Sequence, residues 1–473
     1  MSELAAWVAR LRAKDGTLFS ADPEVAAAAA AYLGWVDLAL PDPTLMAWLA
    51  GLDAGGATDI VVVGMGGSSL GALAVRDALG TPVRLHILDS THPAEVQRVL
   101  ALDPATTRYV IASKSGSTAE VDAALAALWA RCEGDGSRFV AVTDPGSALE
   151  RRATEEGWAA IGRGVPSVGG RFSVLSVFGL LPLALAGLDF ASFRAGGALP
   201  DASWEAAAAM GLAWAERVKA GDDVMIVRSP GRFYGIALWL EQLVAESTGK
   251  QGTGLYPVAV RDDACDALVL EGRGGDLLGS YAPQTPAELG ALFMGFQVAT
   301  AACGSALGVN PFDQPNVQLA KDMARLQIAR LEKGEVLASS LPVATLDEVR
   351  AAAEGAGYVA ILAYVAETPA NDATLRAWQA ELGAVAPCSL GYGPRYLHST
   401  GQYHKGGPRH GLHVLVVDEG AAEVPIPERG YGFADLMRAQ AYGDEAALIN
   451  ADRRVLRVRI SNLGRGFSCF QEK

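Results

Sequence analysis

A short polar segment at the end of a predicted strand, "SKSGST", combines three kinds of group that bind anions. Ser113, Ser115 and Thr118 can each donate a hydroxyl hydrogen bond, and Lys114 can supply positive charge. The helical run that follows, "AEVDAALAALWARC", adds N–H groups at its beginning. Together these groups match a single dianionic phosphate. The alternative is a helix cap at Ser117 or Thr118, which would require only one of these residues.

A glycine-rich segment, "VVVGMGGSSLGALAV", lies between a predicted strand and a predicted helix. Bare backbone N–H groups and the helix dipole can hold an anion at such a junction, and Gly67 and Ser68 are the candidate contacts. A dinucleotide site is an alternative that Asp89 favours, because it ends the next strand. However, Ser69 stands where the third glycine of G-x-G-x-x-G is expected. A purely structural tight turn is the other alternative.

Composition limits the functions that this chain can have. Its 473 residues are 50% hydrophobic, which is enough for large cores, and the length favours two or three globular domains. A formal charge of -14 argues against binding to a nucleic-acid backbone or an anionic membrane, because both need clustered excess lysine and arginine. The five cysteines lie far apart without a C-x-x-C pair, which favours reduced packing residues over disulfides or a zinc site.

Three segments of the chain bear on export and membrane insertion, namely the N-terminus and two apolar stretches. The N-terminus "MSELAAWVARLRAKDG" carries charges from Glu3 onward, so it lacks the uninterrupted apolar region of a secretory signal. The stretch 172–187 is shorter than the ~18 to 20 residues that span a bilayer, and it contains Pro182. The stretch 289–309 reaches spanning length only by including polar residues such as Gln297. We therefore expect two buried helices and a cytoplasmic protein.

Short β-branched runs alternate with longer helical patterns along the chain. Such alternation predicts an α/β fold in which helices flank parallel sheets. A first set of strands is expected at "DIVVVG", "VRLHILD", "RYVIAS" and "RFVAVTD", and a second at "DDVMIVRSPG" and "YPVAV", around the helical segment 233–248. A third set begins at about residue 346, with "YVAILAYV", "LHVLVVD" and "RVLRVRI" as strands. The expected regions are residues 1–200, 201–345 and 346–473.

Five segments resemble the motifs of one enzyme family, in the same order. The chain resembles glucose-6-phosphate isomerases through "GMGGSSLG", "SKSGST", "VGGRFSVLS", "ESTGK" and "NPFDQPNVQLAK". It looks most similar to the isomerase module that some bacteria fuse to transaldolase, in which "YLHSTGQYHKGG" also has a counterpart. The resemblance implies two sugar-isomerase domains with doubly wound parallel sheets, followed by a C-terminal α/β region.

The resemblance also implies a reversible conversion of glucose 6-phosphate to fructose 6-phosphate. Moving a proton between C1 and C2 through an enediol requires a carboxylate base and a cation where oxyanion charge develops. The family's base corresponds to Glu246, although Glu241 is an equally plain candidate by spacing alone. Arg171 corresponds to the arginine that stabilises the enediolate. An arginine in an isolated "GGR" would more often cap the end of a sheet.

Three further residues receive roles by resemblance. Gln314 would contact the phosphate, and Lys321 would act near the ring oxygen or the base. The family at large places a histidine after its catalytic glutamate, but this chain has none between Glu246 and Lys321. We therefore predict that His404 opens the sugar ring, with His398 as the backup candidate. An exposed helical lysine and a surface histidine are the alternatives.

The expected ligand is a small sugar phosphate, with no metal or nucleotide cofactor and no nucleic-acid or membrane partner. A homodimer is one option for the assembly. Two further functions stay open, namely a non-catalytic phosphosugar-binding protein with the same type of domain and an isomerase of a related 6-phospho or 6-sulfo sugar.

Overall fold

The computed structural model describes residues 2–459, apart from the side chains of residues 317–321. The backbone divides into two compact units. The first runs to Asp89 and resumes over Leu102–Asp313, and the second comprises Ser90–Ala101 and the chain from Gln314 onward. These units do not follow the expected boundaries after residues 200 and 345, which stay predictions.

The first sheet of the first unit has five parallel strands, β1 Asp59–Val63, β2 Arg84–Leu88, β3 Thr107–Ala112, β4 Phe139–Thr143 and β5 Ala160–Arg163. Every residue of β1 and β4 is buried, as expected for strands covered by helices on both faces of the sheet. The spatial order is β2-β1-β3-β4-β5, so the winding direction reverses between β1 and β3. Open α/β sheets bind their ligands at the carboxyl ends of the strands beside such a reversal.

The helices of the first unit are α1 Glu3–Arg12, α2 Pro23–Ala30, α3 Pro43–Ala50, α4 Leu70–Leu79, α6 Ala119–Arg131, α7 Ala148–Glu155, α8 Val177–Leu185, α9 Phe190–Gly196, α10 Asp201–Lys219, α11 Gly231–Thr248 and α12 Pro286–Leu307. Local capping explains several of the boundaries. Thr285 and Glu288 form a reciprocal capping box at the start of α12, and Gly308 ends that helix with a left-handed backbone (φ 72°).

A second sheet in this unit contains β6 Val224–Ser229, β7 Tyr256–Arg261, β8 Leu268–Gly272 and β9 Leu277–Tyr281, in the order β7-β6-β8-β9. Only β6 and β7, which α11 connects, are parallel; β8 pairs antiparallel with both of its neighbours. The sheet therefore departs from the expected all-parallel arrangement. The reason is the short glycine-containing link between β8 and β9, since a parallel crossover needs a dozen or more residues.

The two apolar segments that raised the membrane question are core helices. Within α8, all residues except Ala184 are buried. Helix α12 is long and apolar enough to cross a membrane by composition, but 72% of its apolar window is buried inside the protein. This burial confirms the expectation of two buried helices.

The second unit is built on a parallel sheet of β10 Tyr358–Tyr364, β11 Cys388–Tyr392, β12 Gly411–Val417 and β13 Arg454–Arg459, in the order β11-β10-β12-β13. Its helices are α5 Pro93–Leu100, α13 Val317–Leu331, α14 Leu346–Ala353, α15 Pro369–Gly383, α16 Gly401–Gly406 and α17 Phe433–Asn450. The α/β class predicted from the sequence is confirmed, and so are the strands expected in the first and third regions.

Candidate active site

Both segments predicted to bind phosphate begin at the carboxyl ends of strands beside the reversal of the first sheet. Gly64 follows β1, and Ser113 follows the neighbouring strand β3. The two loops lie close together, because a Cβ atom on Gly64 would be 3.1 Å from the carbonyl oxygen of Ala112. The fold therefore brings the "GMGGSSLG" and "SKSGST" segments to the edge of the sheet where ligands bind in this type of fold.

Hydroxyl groups organise the "SKSGST" loop. The Ser113 and Thr118 hydroxyls are 3.0 Å apart, and the Gly116 N–H donates to the Ser113 Oγ at 3.1 Å. Gly116 has a φ of +68°, and a Cβ there would lie 2.8 Å from the Leu149 nitrogen, so this position requires glycine. Thr118 precedes α6 but its side chain makes no capping hydrogen bond. Helix capping by Thr118 therefore does not account for the hydroxyl groups of this loop. The Ser115 side chain is exposed to solvent.

Lys114 has a partner that the sequence did not indicate. Its ammonium group pairs with the carboxylate of Asp144, which follows β4, and it donates to the carbonyl oxygen of Pro166 at 3.2 Å. A phosphate would compete with Asp144 for this charge. The phosphate role of Lys114 stays a prediction.

Gly67 allows the glycine-rich loop to contact the turn that carries Arg171. A Cβ on Gly67 would lie 2.1 Å from the Gly170 carbonyl oxygen and 2.7 Å from the Arg171 nitrogen. The hydroxyl of Ser173 also donates to the Gly170 carbonyl oxygen at 2.6 Å. In a dinucleotide fold the pyrophosphate needs the space above such a glycine, whereas here protein backbone fills it. This contact argues against a dinucleotide site in the glycine-rich loop. Ser68, the next residue of the loop, is half-buried.

Aromatic packing fixes the turn Gly170–Phe172. The Phe172 ring lies 5.1 Å from Trp35 and 5.2 Å from Phe312, measured between ring centroids, and it is almost fully buried. Phe312 belongs to the segment that ends the first unit. The anchored phenylalanine therefore holds its neighbour Arg171 in a defined position between helix α11 and that segment.

The Arg171 guanidinium makes at least four directional contacts in the protein interior. Its Nε donates to the Ser247 hydroxyl at 2.9 Å, and its Nη2 donates to the carbonyl oxygens of Pro311 (2.6 Å) and Asp313 (2.9 Å). Its Nη1 lies 3.2 Å from Glu246 Oε1, and only 4% and 7% of these two side chains are exposed. These four contacts go to helix α11 and to the end of the first unit rather than to the carboxyl ends of the strands.

Glu246 lies in the last turn of α11, where it also accepts a hydrogen bond from Gln242 Nε2 at 3.2 Å. Glu241 faces away from this pair, because five residues correspond to about 140° around a helix. It is also buried, and burial raises the pKa of its carboxyl group to about 8. Its closest hydrogen-bond donor is the Ala259 N–H at 3.5 Å. Of the two carboxylates that sequence spacing left equivalent, only Glu246 is paired with a cation in the part of the chain that the structure describes.

Two predicted site residues, Gln314 and Lys321, lie near the start of the second unit's main segment. Gln314 is exposed and is the first residue of that unit after the break. Lys321 lies in α13, and its side chain lies outside the described residues. The start of this helix is tied to the "STGQYHKGG" segment, because Gln402 accepts from the Asn316 N–H at 2.9 Å and donates to the Asn316 side chain at 2.8 Å.

His404 lies in α16 and is only 1% exposed, so the surface-histidine alternative is wrong. Its ring centroid is 5.0 Å from that of His413 and 6.0 Å from that of Tyr396. Burial, reinforced by repulsion from neighbouring cations, holds the pKa of His404 well below its usual value, and burial lowers that of His413 to about 3. These two residues, the buried histidine pair, are therefore neutral near pH 7.

Sequence reasoning missed several residues that build this arrangement. Gln242 and Ser247 flank Glu246 on its own helix, and Lys250 and Asp313 lie beside the Arg171 contacts. Lys250 is the last residue of the "ESTGK" motif, so the motif could have indicated that it lies near the site. Asp313 contacts Arg171 through its backbone carbonyl, and a contact of this kind cannot be predicted from the type of side chain.

Comparison with known proteins agrees with the family that the sequence motifs indicated. A family model described as phosphoglucose isomerase matches residues 45–252. A glucose-6-phosphate isomerase from Rubrobacter xylanophilus is 31% identical over 361 residues, covering 58% of this chain and 83% of that relative. One from Thermosynechococcus vestitus is 38% identical over 213 residues, covering 41% of this chain and only 40% of that relative.

A solved structure supports the fold independently. The crystal structure of a glucose-6-phosphate isomerase from Chlamydia trachomatis superimposes with a TM-score of 0.52 at 21% identity, covering 70% of this chain and 84% of that one. Identity at this level bears on the fold alone. With most of the Rubrobacter relative matched, the chain belongs to the phosphoglucose isomerase family.

Proposed function

We propose that Glu246 is the base with which this isomerase interconverts glucose 6-phosphate and fructose 6-phosphate. The observation that carries the proposal is the buried pair of Glu246 and Arg171. A carboxylate accepts a proton from one carbon of the substrate and returns it to the neighbouring carbon, while a fixed guanidinium stabilises the negative charge of the enediolate.

The rigidity of the pair supports this assignment. Arg171 is held by Ser247 and by the carbonyls of Pro311 and Asp313, so its charge needs little reorganisation when oxyanion charge develops. Gln242 orients the second oxygen of Glu246. A base held by two neighbours is positioned for transfer between two adjacent carbons, where small displacements cost much of the rate.

The two loops at the reversal of the first sheet are the proposed phosphate site. Ser68, Ser113, Ser115 and Thr118 supply hydroxyl groups, and the start of α6 supplies N–H groups and a favourable dipole. Lys114 would add charge by exchanging part of its pairing with Asp144 for the phosphate. Gly67 contributes by letting this loop contact the turn that holds Arg171.

Ring opening is proposed for His404 and Lys321, with Gln314 as an additional phosphate contact. Within the second unit, the mutual hydrogen bonds of Gln402 and Asn316 tie α16, which carries His404, to the start of α13, which carries Lys321. A neutral imidazole can take the proton of the C1 hydroxyl, and a lysine can assist at the ring oxygen. His404→Ala should then slow turnover of the cyclic sugar phosphate much more than proton exchange on an open-chain analogue.

The proposed setting is the cytoplasm, with a small sugar phosphate as substrate, no metal or nucleotide cofactor, and a homodimer as an assembly that sedimentation analysis can test. The functional test is a coupled assay that follows glucose 6-phosphate formation from fructose 6-phosphate with excess EDTA. We expect turnover. Strict dependence on added metal would contradict the proposed chemistry, and binding without turnover would identify a non-catalytic phosphosugar-binding protein. Turnover only with a 6-sulfo sugar would change the substrate.

A further inference from the structure

Lys250 is a buried cation that the proposed chemistry does not use. It follows helix α11, four residues after Glu246, and its side chain is 2% exposed. A tight turn fixes its backbone, because the Lys250 N–H donates to the Thr253 carbonyl at 3.1 Å and the Thr253 N–H donates back at 2.9 Å. Gln251 and Gly252 between them both have positive φ. The ammonium group is therefore carried on a defined piece of backbone.

Among the residues that the structure describes, the Lys250 ammonium makes three polar contacts, and all of them go to the last residues of the first unit. Its Nζ donates to the carbonyl oxygen of Asn310, to the carbonyl oxygen of Asp313 at 2.7 Å, and to the carboxylate of Asp313 at 2.7 Å. An ammonium group has three donor hydrogens, so these contacts use its full capacity. Lys250 therefore fixes both ends of the segment Asn310–Asp313.

The same segment holds the Arg171 guanidinium. Arg171 Nη2 donates to the carbonyl oxygens of Pro311 and Asp313, and the Asp313 carbonyl accepts from Arg171 and Lys250 together. Displacement of this segment would remove two of the acceptors that fix the guanidinium beside Glu246. Lys250 and Arg171 are therefore linked through the backbone carbonyl groups of this segment.

We propose that Lys250 is a positioning residue for the isomerase reaction, which holds the segment Asn310–Asp313 so that its carbonyl groups fix Arg171 against Glu246. The inference rests on the proposed function, since it assigns Arg171 and Glu246 to the reacting atoms. Lys250 touches neither the sugar nor the phosphate in this scheme.

The charge of Lys250 is sensitive to pH near neutrality. Burial, with repulsion from Arg171, lowers its pKa to about 7, against the attraction of Asp313 and Glu246. A neutral amine keeps two donor hydrogens, so at least one of the three acceptors loses its hydrogen bond when the proton leaves. The segment should therefore loosen as the pH rises through the Lys250 pKa, and turnover should fall on the alkaline side.

The test compares Lys250→Met with Lys250→Arg in the full chain, using the fructose 6-phosphate assay over a range of pH. Met keeps the length but removes charge and donors, and we expect kcat to fall on the order of 100-fold, the cost of small misplacements of catalytic groups, with little change in KM. Arg stays charged and should move the alkaline decline to higher pH. Lys219→Met, which removes an exposed lysine paired with Glu216, is the control and should behave as wild type.

Asp313→Asn keeps the test decisive if Lys250→Met does not fold. Removal of the Asp313 charge takes away an attraction that raises the Lys250 pKa, so the alkaline decline should move to lower pH. An unmoved decline, or wild-type kcat in a folded Lys250→Met, would overturn the role of Lys250. No turnover by the wild-type protein would instead refute the proposed function. In that case a crystal structure decides, either of folded Lys250→Met or of Asp313→Asn at a pH above the Lys250 pKa. The guanidinium should leave the Asp313 carbonyl in that structure, and an unmoved Arg171 overturns the inference.

Discussion

Replacing Glu246 with glutamine should abolish most turnover while leaving the site assembled. The carboxylate forms an ion pair with Arg171 Nη1 and accepts a hydrogen bond from Gln242 Nε2, both at 3.2 Å. A glutamine at this position offers one oxygen, which can stay toward Arg171, and one amide NH₂, to which the Gln242 amide can present its own oxygen after a flip. The packing is therefore kept, and only proton acceptance is lost.

The expected magnitude follows from this geometry. Weakening one charged hydrogen bond should lower the free energy of unfolding by about 1–3 kcal/mol. Loss of the general base should lower kcat about 100- to 10,000-fold, which is about 3–5 kcal/mol of barrier. KM should change little, because the proposed phosphate site lies on other loops.

Glu241→Gln is the matched control, since it makes the same change on the same helix. Burial raises the pKa of Glu241 to about 8, so at pH 7 the amide replaces a protonated acid of similar shape. We expect its kcat to equal that of the wild type in the coupled fructose 6-phosphate assay. Wild-type kcat in Glu246→Gln, combined with a large loss in Glu241→Gln, would refute the assignment of the base.

Three other perturbations test separate parts of the account. Ser115→Ala with Thr118→Val should mainly raise KM, because the phosphate is held alike in the ground and transition states, and an unchanged KM would remove the loop from the binding site. Gly67→Ala places a Cβ 2.1 Å from a backbone oxygen of the turn that carries Arg171, so kcat should fall and the free energy of unfolding should drop by about 1–3 kcal/mol in denaturant titrations; Gly169→Ala, with open space at its Cβ, should not change either quantity. The buried histidine pair has lowered pKa values, so its contribution to stability is present above the ordinary histidine pKa and is lost as the pH falls; denaturation at about pH 5.5 should show about 3 kcal/mol less stability than at about pH 7.5, and equal values would contradict the burial of neutral imidazoles.

The elements that the sequence predicted well are those in which local pattern and burial agree. Strands β1 and β10 consist mostly of β-branched or apolar residues, and the parallel sheets bury them completely, so their composition identifies them. The hairpin of β8 and β9 was missed because its strands are short, glycine-containing and partly exposed. β8 forms a strand by pairing with β6, and β9 by pairing with β8, rather than by local preference.

The residues of the site divide in the same way, into those that local sequence pattern revealed and those that only the fold brings together. The motif segments located the hydroxyl loop and the glycine-rich loop, because strand-to-helix junctions have recognisable residue types. The sequence could not choose between Glu241 and Glu246, since the choice depends on Arg171, which is 75 positions earlier than Glu246 and meets it only in the fold. The pairing of Lys114 with Asp144 was hidden for the same reason.

The central claim is that Glu246 moves a proton between C2 and C1 of a sugar phosphate, and proton NMR in D₂O tests it most directly. Fructose 6-phosphate incubated with the wild-type protein should yield glucose 6-phosphate that carries deuterium at C2 in at least part of the product, because a carboxylate base exchanges its proton with solvent between the two steps. Glu246→Gln should form neither product nor exchange at a comparable rate. Product that forms without any deuterium in the wild type, or wild-type exchange in Glu246→Gln, would contradict the account.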